Sequence, residues 1–352
     1  MLANRTPFAP FTFQSLDLSG HPFQVVVLKG TFEIALDAAP SLALRQEPVS
    51  VEEEPHEGGQ TTSLRSDDDL APFKPRTDIV VNATSYAPGN KPAREWLAGV
   101  SVGKVQKRVL VTGPRVWIHS VLSGWSLGAP APTVAVPLRY DRAFGGIARR
   151  RRGDEAYVEN PVGKGFVDVD TADTSKPIEA PSIVTPDFRP PPLGGRYPVE
   201  GLAAIHRSWQ PRLAKAGTFD AAWSKTRHPL MPEDFDFAFY NSAHPDLVYP
   251  GYVVGGEEVR LERLCREHEV LTFRLPAHVV GVAITDKAGY RYGCPARLDT
   301  VHIDAERMKL SLVFRATFPL FGDGVARVDA VLTDSVEAAA RANGARAAGA
   351  SR

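Results

Sequence analysis

Lys309–Phe318 reads K-L-S-L-V-F-R-A-T-F. Leu310, Leu312, Phe314, Ala316 and Phe318 take alternate positions, Lys309, Ser311, Arg315 and Thr317 fall between them, and only Val313 interrupts the polar set. A period of two is the repeat of an extended strand, whose successive side chains point to opposite faces. One apolar and one polar face predict an antiparallel sheet with a wetter side. The same reading extends outward. In Leu298–Asp304, Val301 and Ile303 share one face and Thr300 and His302 the other, and Leu271, Phe273 and Leu275 alternate too. Toward the N-terminus, Gln24–Leu36 is rich in β-branched residues and reads as a strand pair or one long bent strand, with Gly30 as a bulge. Thr77–Thr84, Leu97–Val105, Lys107–Thr112, Val116–His119 and Thr133–Tyr140 are further strand candidates, with Gly113-Pro114 as a turn.

The 30 prolines and 29 glycines among 352 residues demand many short elements, because proline fits neither a helix interior nor a central strand. One helical pattern stands out. Thr218–Arg227 has Thr218 or Asp220 as its cap, and Pro211 and Pro229 keep it short. The predicted fold is mainly β: an antiparallel sandwich or partly closed barrel with many Pro/Gly-rich loops and one or two short helices. Residues 1–333 read as one domain, with two β subdomains (about 1–150 and 197–333) as the alternative division, and 334–352 as an Ala/Arg-rich tail.

Lys plus Arg and Asp plus Glu each number 41, so the formal net charge is zero. A general nucleic-acid binder needs a basic surplus, so that class is set aside. Arg45–Asp69, with Glu52–Glu54 and Asp67–Asp69, reads as a solvated acidic loop. It lacks the ligand spacing of a calcium loop. Arg149–Arg152 reads as an exposed loop, with an acidic partner as the functional alternative. No apolar run suits a signal peptide or a membrane span, so a soluble cytoplasmic protein without membrane contact is expected.

Two cysteines exclude a disulfide scaffold and a four-cysteine zinc site. The nine histidines form no H-E-x-x-H and no i, i+4 pair, so no metal ligands are assigned. The nucleophile-elbow and phosphate-loop patterns are missing as well, and V-G-K-G-F at Val162–Phe166 lacks the surrounding residues a phosphate loop needs. D-F-D-F-A-F-Y at Asp234–Tyr240 reads as core packing or a partner groove, since its carboxylates would repel a phosphate backbone. No catalytic or cofactor-binding residue is assigned. The enzymatic alternative is a hydrolase using His119, His302 or Cys294.

Longer strings are more specific. They are K-G-T-F-E-I (Lys29–Ile34), T-D-I-V-V-N-A-T-S-Y-A-P-G (Thr77–Gly89), Y-D-R-A-F-G-G (Tyr140–Gly146), E-N-P-V-G-K-G-F (Glu159–Phe166), H-R-S-W-Q-P-R-L-A-K-A-G-T-F-D-A-A-W (His206–Trp223), P-L-M-P-E-D-F-D (Pro229–Asp236), R-L-D-T-V-H-I-D (Arg297–Asp304) and L-V-F-R-A (Leu312–Ala316). In this order, from about Phe23 to Phe318, they resemble a large bacterial family of unknown-function domains. Its members are encoded beside type VI secretion spike genes (VgrG and PAAR proteins) and act as effector chaperones or adaptors. The resemblance implies a non-enzymatic protein that binds a secreted effector and loads it onto the VgrG/PAAR spike. A secreted, spike-associated structural component is a further alternative. Phe314 stands where a Trp would be expected. From their mixture of aromatic and cationic groups in loop-bordered segments, Tyr140, Arg142, Phe144, Asn160, Lys164, Phe166, Trp209 and Arg212 are the partner-contact candidates. The competing reading is that Phe144, Phe166 and Trp209 pin loops to the core.

Overall fold

A computed structural model describes residues 2–36, 38–56, 63–320 and 324–333 of the chain. The Lys309–Pro319 strand lies at the centre of a six-stranded main sheet. On one side it pairs antiparallel with Pro22–Glu33, which pairs in turn with Ala9–Leu16 and with the short Ser41–Leu42. On the other side it pairs antiparallel with Arg297–Asp304, which runs parallel to Asp78–Asn82. A second, antiparallel sheet has the order Ile183–Val184, Val105–Thr112, Glu95–Val102, Glu258–Glu262, Val270–Arg274. The third contains Leu2–Asn4, Val325–Thr333, Val279–Asp286 and Arg291–Pro295. A small outer sheet joins Gly124–Leu127, Val116–Ser120 and Ile178–Glu179. None of these sheets closes on itself, so the fold is an open, β-rich sandwich. The main and second sheets each draw strands from both 1–150 and 197–333.

The alternation seen in the sequence sets the inner face. Leu310, Leu312 and Phe314 of the main sheet pack with Trp96, Val100 and Leu261 of the second and Val280, Val282 and Ile284 of the third in one core. Pro22–Glu33 is a single strand with continuous pairing through Gly30, so no bulge lies there. The irregularity falls instead between Leu298 and Thr300. Gly30 answers a different need: a Cβ there would sit 2.8 Å from the ring of Phe8. That ring stacks on Phe314, centroid to centroid 5.6 Å and 4° from parallel. Phe314 thus fills the core position where a Trp was expected. Glu95–Val102 and Val105–Thr112 form a hairpin turning at Gly103-Lys104, earlier than the break placed near Gln106. The Thr133–Tyr140 strand contracts to Ala135–Pro137, and Tyr140–Arg142 is a 3-10 turn. The one α-helix among the described residues is Ala221–Thr226, whose cap is Asp220, accepting a 2.8 Å hydrogen bond from the Trp223 amide.

Two expectations need correction. The polar face of the central strand is not wet: Ser311 and Arg315 are each 4% exposed. Nor is the acidic loop simply solvated. Its C-terminal part lies over this face, and its charges meet opposite ones. Lys29 Nζ lies 3.0 Å from Asp69 Oδ2 and donates to Ser50 Oγ. Arg315 donates to Asp299 Oδ2 at 2.6 Å and to the Asp69 carbonyl at 3.0 Å. Lys74 Nζ reaches Asp78 Oδ2 at 2.9 Å, and Arg65 reaches Asp304 Oδ2 at 2.6 Å. Asp67 accepts an ion pair from Arg212 at 2.8 Å, and Arg207 holds both Asp67 and Asp68. Burial pushes the Asp67 carboxyl up, but Arg212, Lys74 and Arg207 outweigh it and hold it below the ordinary carboxylate value. Dense like charge reads as solvated only until its counter-charges, more than a hundred residues away for Arg212, are known. Gly58, Gly59 and the 334–352 tail lie outside the described residues.

Candidate partner-binding groove

The eight contact candidates fall into a tight knot of loops. Phe144–Gly145 pairs in parallel with Lys164–Gly165, which brings Y-D-R-A-F-G-G against E-N-P-V-G-K-G-F. Asn160 ties the two, donating from Nδ2 to the carbonyls of Tyr140 at 2.7 Å and Phe144 at 2.9 Å. Gly145 has φ +144°, and a Cβ there would lie 2.0 Å from the Asn160 carbonyl oxygen, so this crossing requires glycine. Phe144 packs with Tyr157, Phe166 and Tyr197 in a small separate core. Trp209 meets Tyr140 edge-on at 5.9 Å, and Arg212 donates to the Ile205 and Phe239 carbonyls.

Tyr140, Phe144, Asn160, Phe166, Trp209 and Arg212 are therefore all buried, Tyr140 with Trp209 and Phe144 with Phe166 packed ring to ring and Arg212 paired with Asp67. A partner cannot touch them unless the loops open. Arg142 and Lys164 remain accessible; Arg142 lies beside Asp141, and Lys164 pairs with Glu179. The knot meets the end of the second sheet where Ala143 bridges Ile183.

Accessible apolar surface occurs elsewhere. The Lys309–Pro319 strand outruns its neighbour: Arg315 is the last residue paired with Arg297–Asp304, so among the described residues Ala316–Pro319 pairs only with Phe23–Val26. Beside this free edge opens a groove of about 560 Å³, walled by Phe73, Val253, Val254, Ala296 and Ala316. Val254 is 76% exposed. Arg297 spans the mouth, its guanidinium carbon 4.8 Å from the Tyr252 ring centre and its Nη1 donating to the Tyr252 hydroxyl at 3.2 Å. The Tyr252 hydroxyl donates in turn to the Lys74 carbonyl at 2.5 Å, which fixes this shelf to the loop over the polar face. The sequence reading did not single out Tyr252, Val254 or Arg297. The available signal was V-V between glycines in G-Y-V-V-G-G, an apolar pair in a segment too short to be a core strand.

His119, His302 and Cys294 belong to three different sheets. His119 lies edge-on to Trp125 at 5.2 Å in the outer sheet. His302 Nε2 faces the Asn82 amide nitrogen at 2.7 Å on the polar face. Asn82 donates its other N–H to the Arg65 carbonyl, so His302 Nε2 is the acceptor and the ring is neutral. Burial, then nearby Lys29 and Arg65 against Asp304, brings its pKa down to about 4. Cys294 lines the groove, and burial pushes its thiol up, away from the reactive thiolate. His278 also lines the groove, stacked on Phe32 at 5.6 Å, with burial lowering its pKa. Among the described residues no three His, Cys, Asp or Glu side chains gather to hold a metal ion, and no helix is long and apolar enough to cross a membrane.

The family model described as an uncharacterized protein conserved in bacteria, DUF2169, matches residues 19–315. The chain belongs to this family. The DUF2169 match reaches into all three large sheets and includes the loop knot and most of the groove's lining, but not Leu2–Asn4, Ala9–Leu16, Val325–Thr333 or the Ala316–Pro319 edge. No curated protein and no solved structure matches the chain.

Proposed function

We propose that this protein is a non-enzymatic effector chaperone and adaptor of type VI secretion. In this reading it works in the donor cytoplasm, holding a secreted effector and passing it to the VgrG/PAAR spike. The motif series from Lys29 to Ala316 motivates the pathway. The observation that carries the binding role is the groove beside the free edge of Ala316–Pro319, with exposed Val254 and the Arg297–Tyr252 shelf at its mouth. An unpaired strand edge offers main-chain hydrogen bonds to an extended segment, and the apolar wall offers pockets to its alternate side chains. Arg297 supplies steering at the rim, where charge governs encounter more than affinity.

The test is co-expression with the effector encoded in its gene neighbourhood. The effector should be soluble and co-purify with the wild-type chain, and should aggregate or go unsecreted when the gene is deleted. Normal solubility and secretion in the deletion strain would end this reading.

A further inference from the structure

Seven cations are buried among the described residues: Lys29, Arg65, Lys74, Lys107, Arg115, Arg212 and Arg315. Six of them have a carboxylate within ion-pair distance. Arg115 has none among the described residues, although it is only 9% exposed. Its Nε has no hydrogen-bond partner, and Nη2 makes only a long 3.5 Å contact to the Pro181 carbonyl. The guanidinium lies 4.8 Å from the centre of the Phe188 ring, which shields it from water without neutralising it. Burial pulls its pKa down, with only partial relief from Tyr197 and Glu95. A buried charge is ordinarily paired, so the one exception asks what supplies the missing anion.

Arg115 lines a broad groove of about 930 Å³. Leu97 and Leu110, directly paired across the second sheet, form part of its wall together with Phe188 and Pro190. Val105–Thr112 pairs with Ile183–Val184 through Leu110 and Val111, which sets Leu110 beside Arg115 in the groove. The rim carries Glu95 and Asp187 against Arg189, so the rim leans acidic and the attraction for an anion comes from Arg115 itself. The volume, with Leu97, Leu110, Phe188 and three prolines set among polar side chains, exceeds what a lone small anion fills.

We propose that this groove binds a polypeptide segment that presents an Asp or Glu carboxylate to Arg115 between apolar side chains. The inference rests on the reading of the protein as a polypeptide binder and adds the chemistry of a second contact, separate from the groove beside Val254. The guanidinium fork suits a carboxylate, with Nε lacking a partner and Nη2 holding only the long contact to the Pro181 carbonyl.

The test uses the full chain and three probes: the capped peptide acetyl-Leu-Asp-Leu-Pro-amide, its Asn counterpart, and sodium acetate. The readout is the Arg115 Nε–H resonance in 15N-correlated NMR, assigned by its loss in Arg115→Met. The Asp peptide should move that resonance and bind at least about ten-fold more tightly than the Asn peptide, about 1.4 kcal/mol. Arg115→Met should abolish this difference without lowering the urea midpoint. Arg115→Lys, which keeps the charge and loses the fork, should bind the Asp peptide with intermediate affinity. Equal binding of the two peptides, or an unmoved resonance, overturns the proposal. Full saturation by acetate with no gain from the peptide overturns its polypeptide part. The peptide arms use no effector, so failure there is distinct from failure of the adaptor reading. If the effector co-purifies equally with wild type and Arg115→Met, this contact falls and the adaptor role stands.

Discussion

On the inner face of the main sheet, Leu310, Leu312 and Phe314 meet two other sheets and bury no polar side-chain atom. On the outer face, Ser311 and Arg315 of the same strand, with Lys29 and Thr300 of its neighbours, meet a loop that brings Asp69 and Lys74. Both faces are hidden, but by different physics. Apolar burial is non-directional and scales with area, so it degrades gradually when a methylene is removed. Paired buried charge is directional and fails abruptly when one partner goes, because the other is left in low dielectric.

The largest effect should come from breaking one pair on the polar face. Asp78 accepts from Lys74, from the Asn241 side chain and from the Ser242 amide. Asp78→Ala should cost about 3–5 kcal/mol in urea unfolding. The double change Lys74→Met with Asp78→Leu should recover much of that loss. A loss below about 1 kcal/mol would mean that water reaches these charges.

The next effect is set by pH and again separates the faces. His302, His244 and His56 are each brought down to about 4, with burial the largest cause in all three. Against an ordinary value of 6.5, the folded chain binds fewer protons than the unfolded chain between those limits. The histidines' contribution should therefore fall as pH drops from 6.5 toward 4 and level off below, where protonation of carboxylates such as Asp67, held under its ordinary value, takes over the loss. Urea midpoints measured from pH 7 to pH 4 check this, and His302→Gln should flatten the slope. An unchanged slope would place His302 in contact with solvent.

On the apolar face a single-methylene change should be mild. Ile303→Val should cost about 0.5–1.5 kcal/mol with an unchanged urea slope. The smallest stability effect belongs to the groove. Val254→Asp, at a 76% exposed position, should stay within about 0.5 kcal/mol of wild type yet abolish effector co-purification. Retained binding would move the contact away from this groove.

The strands were legible because period-two alternation is local: Leu310 to Phe318 fixes which side chains share a face. It does not say what covers each face. Thr31, Ser311 and Thr300 look like solvent-side residues until residues 43–56 and 63–76 fold over them, which depends on contacts such as Lys29 with Asp69 and Arg315 with the Asp69 carbonyl. The loop knot was legible as a set of special strings, but a mixture of Tyr, Arg, Phe and Asn looks alike at an interface and in a polar core. Asn160 settles the matter here only by reaching two carbonyls across the chain. The groove went unread because its walls come from Phe73, Val253, Ala296 and Ala316, which meet only in three dimensions.

The account turns on a partner chain gripped at that groove, and amide hydrogen exchange with and without bound effector tests it most directly. Protection should concentrate on Tyr252–Val254 and on Ala316–Phe318, with the amides of the buried loop knot unchanged. Protection confined to other surfaces, or no change on adding the effector, would contradict it.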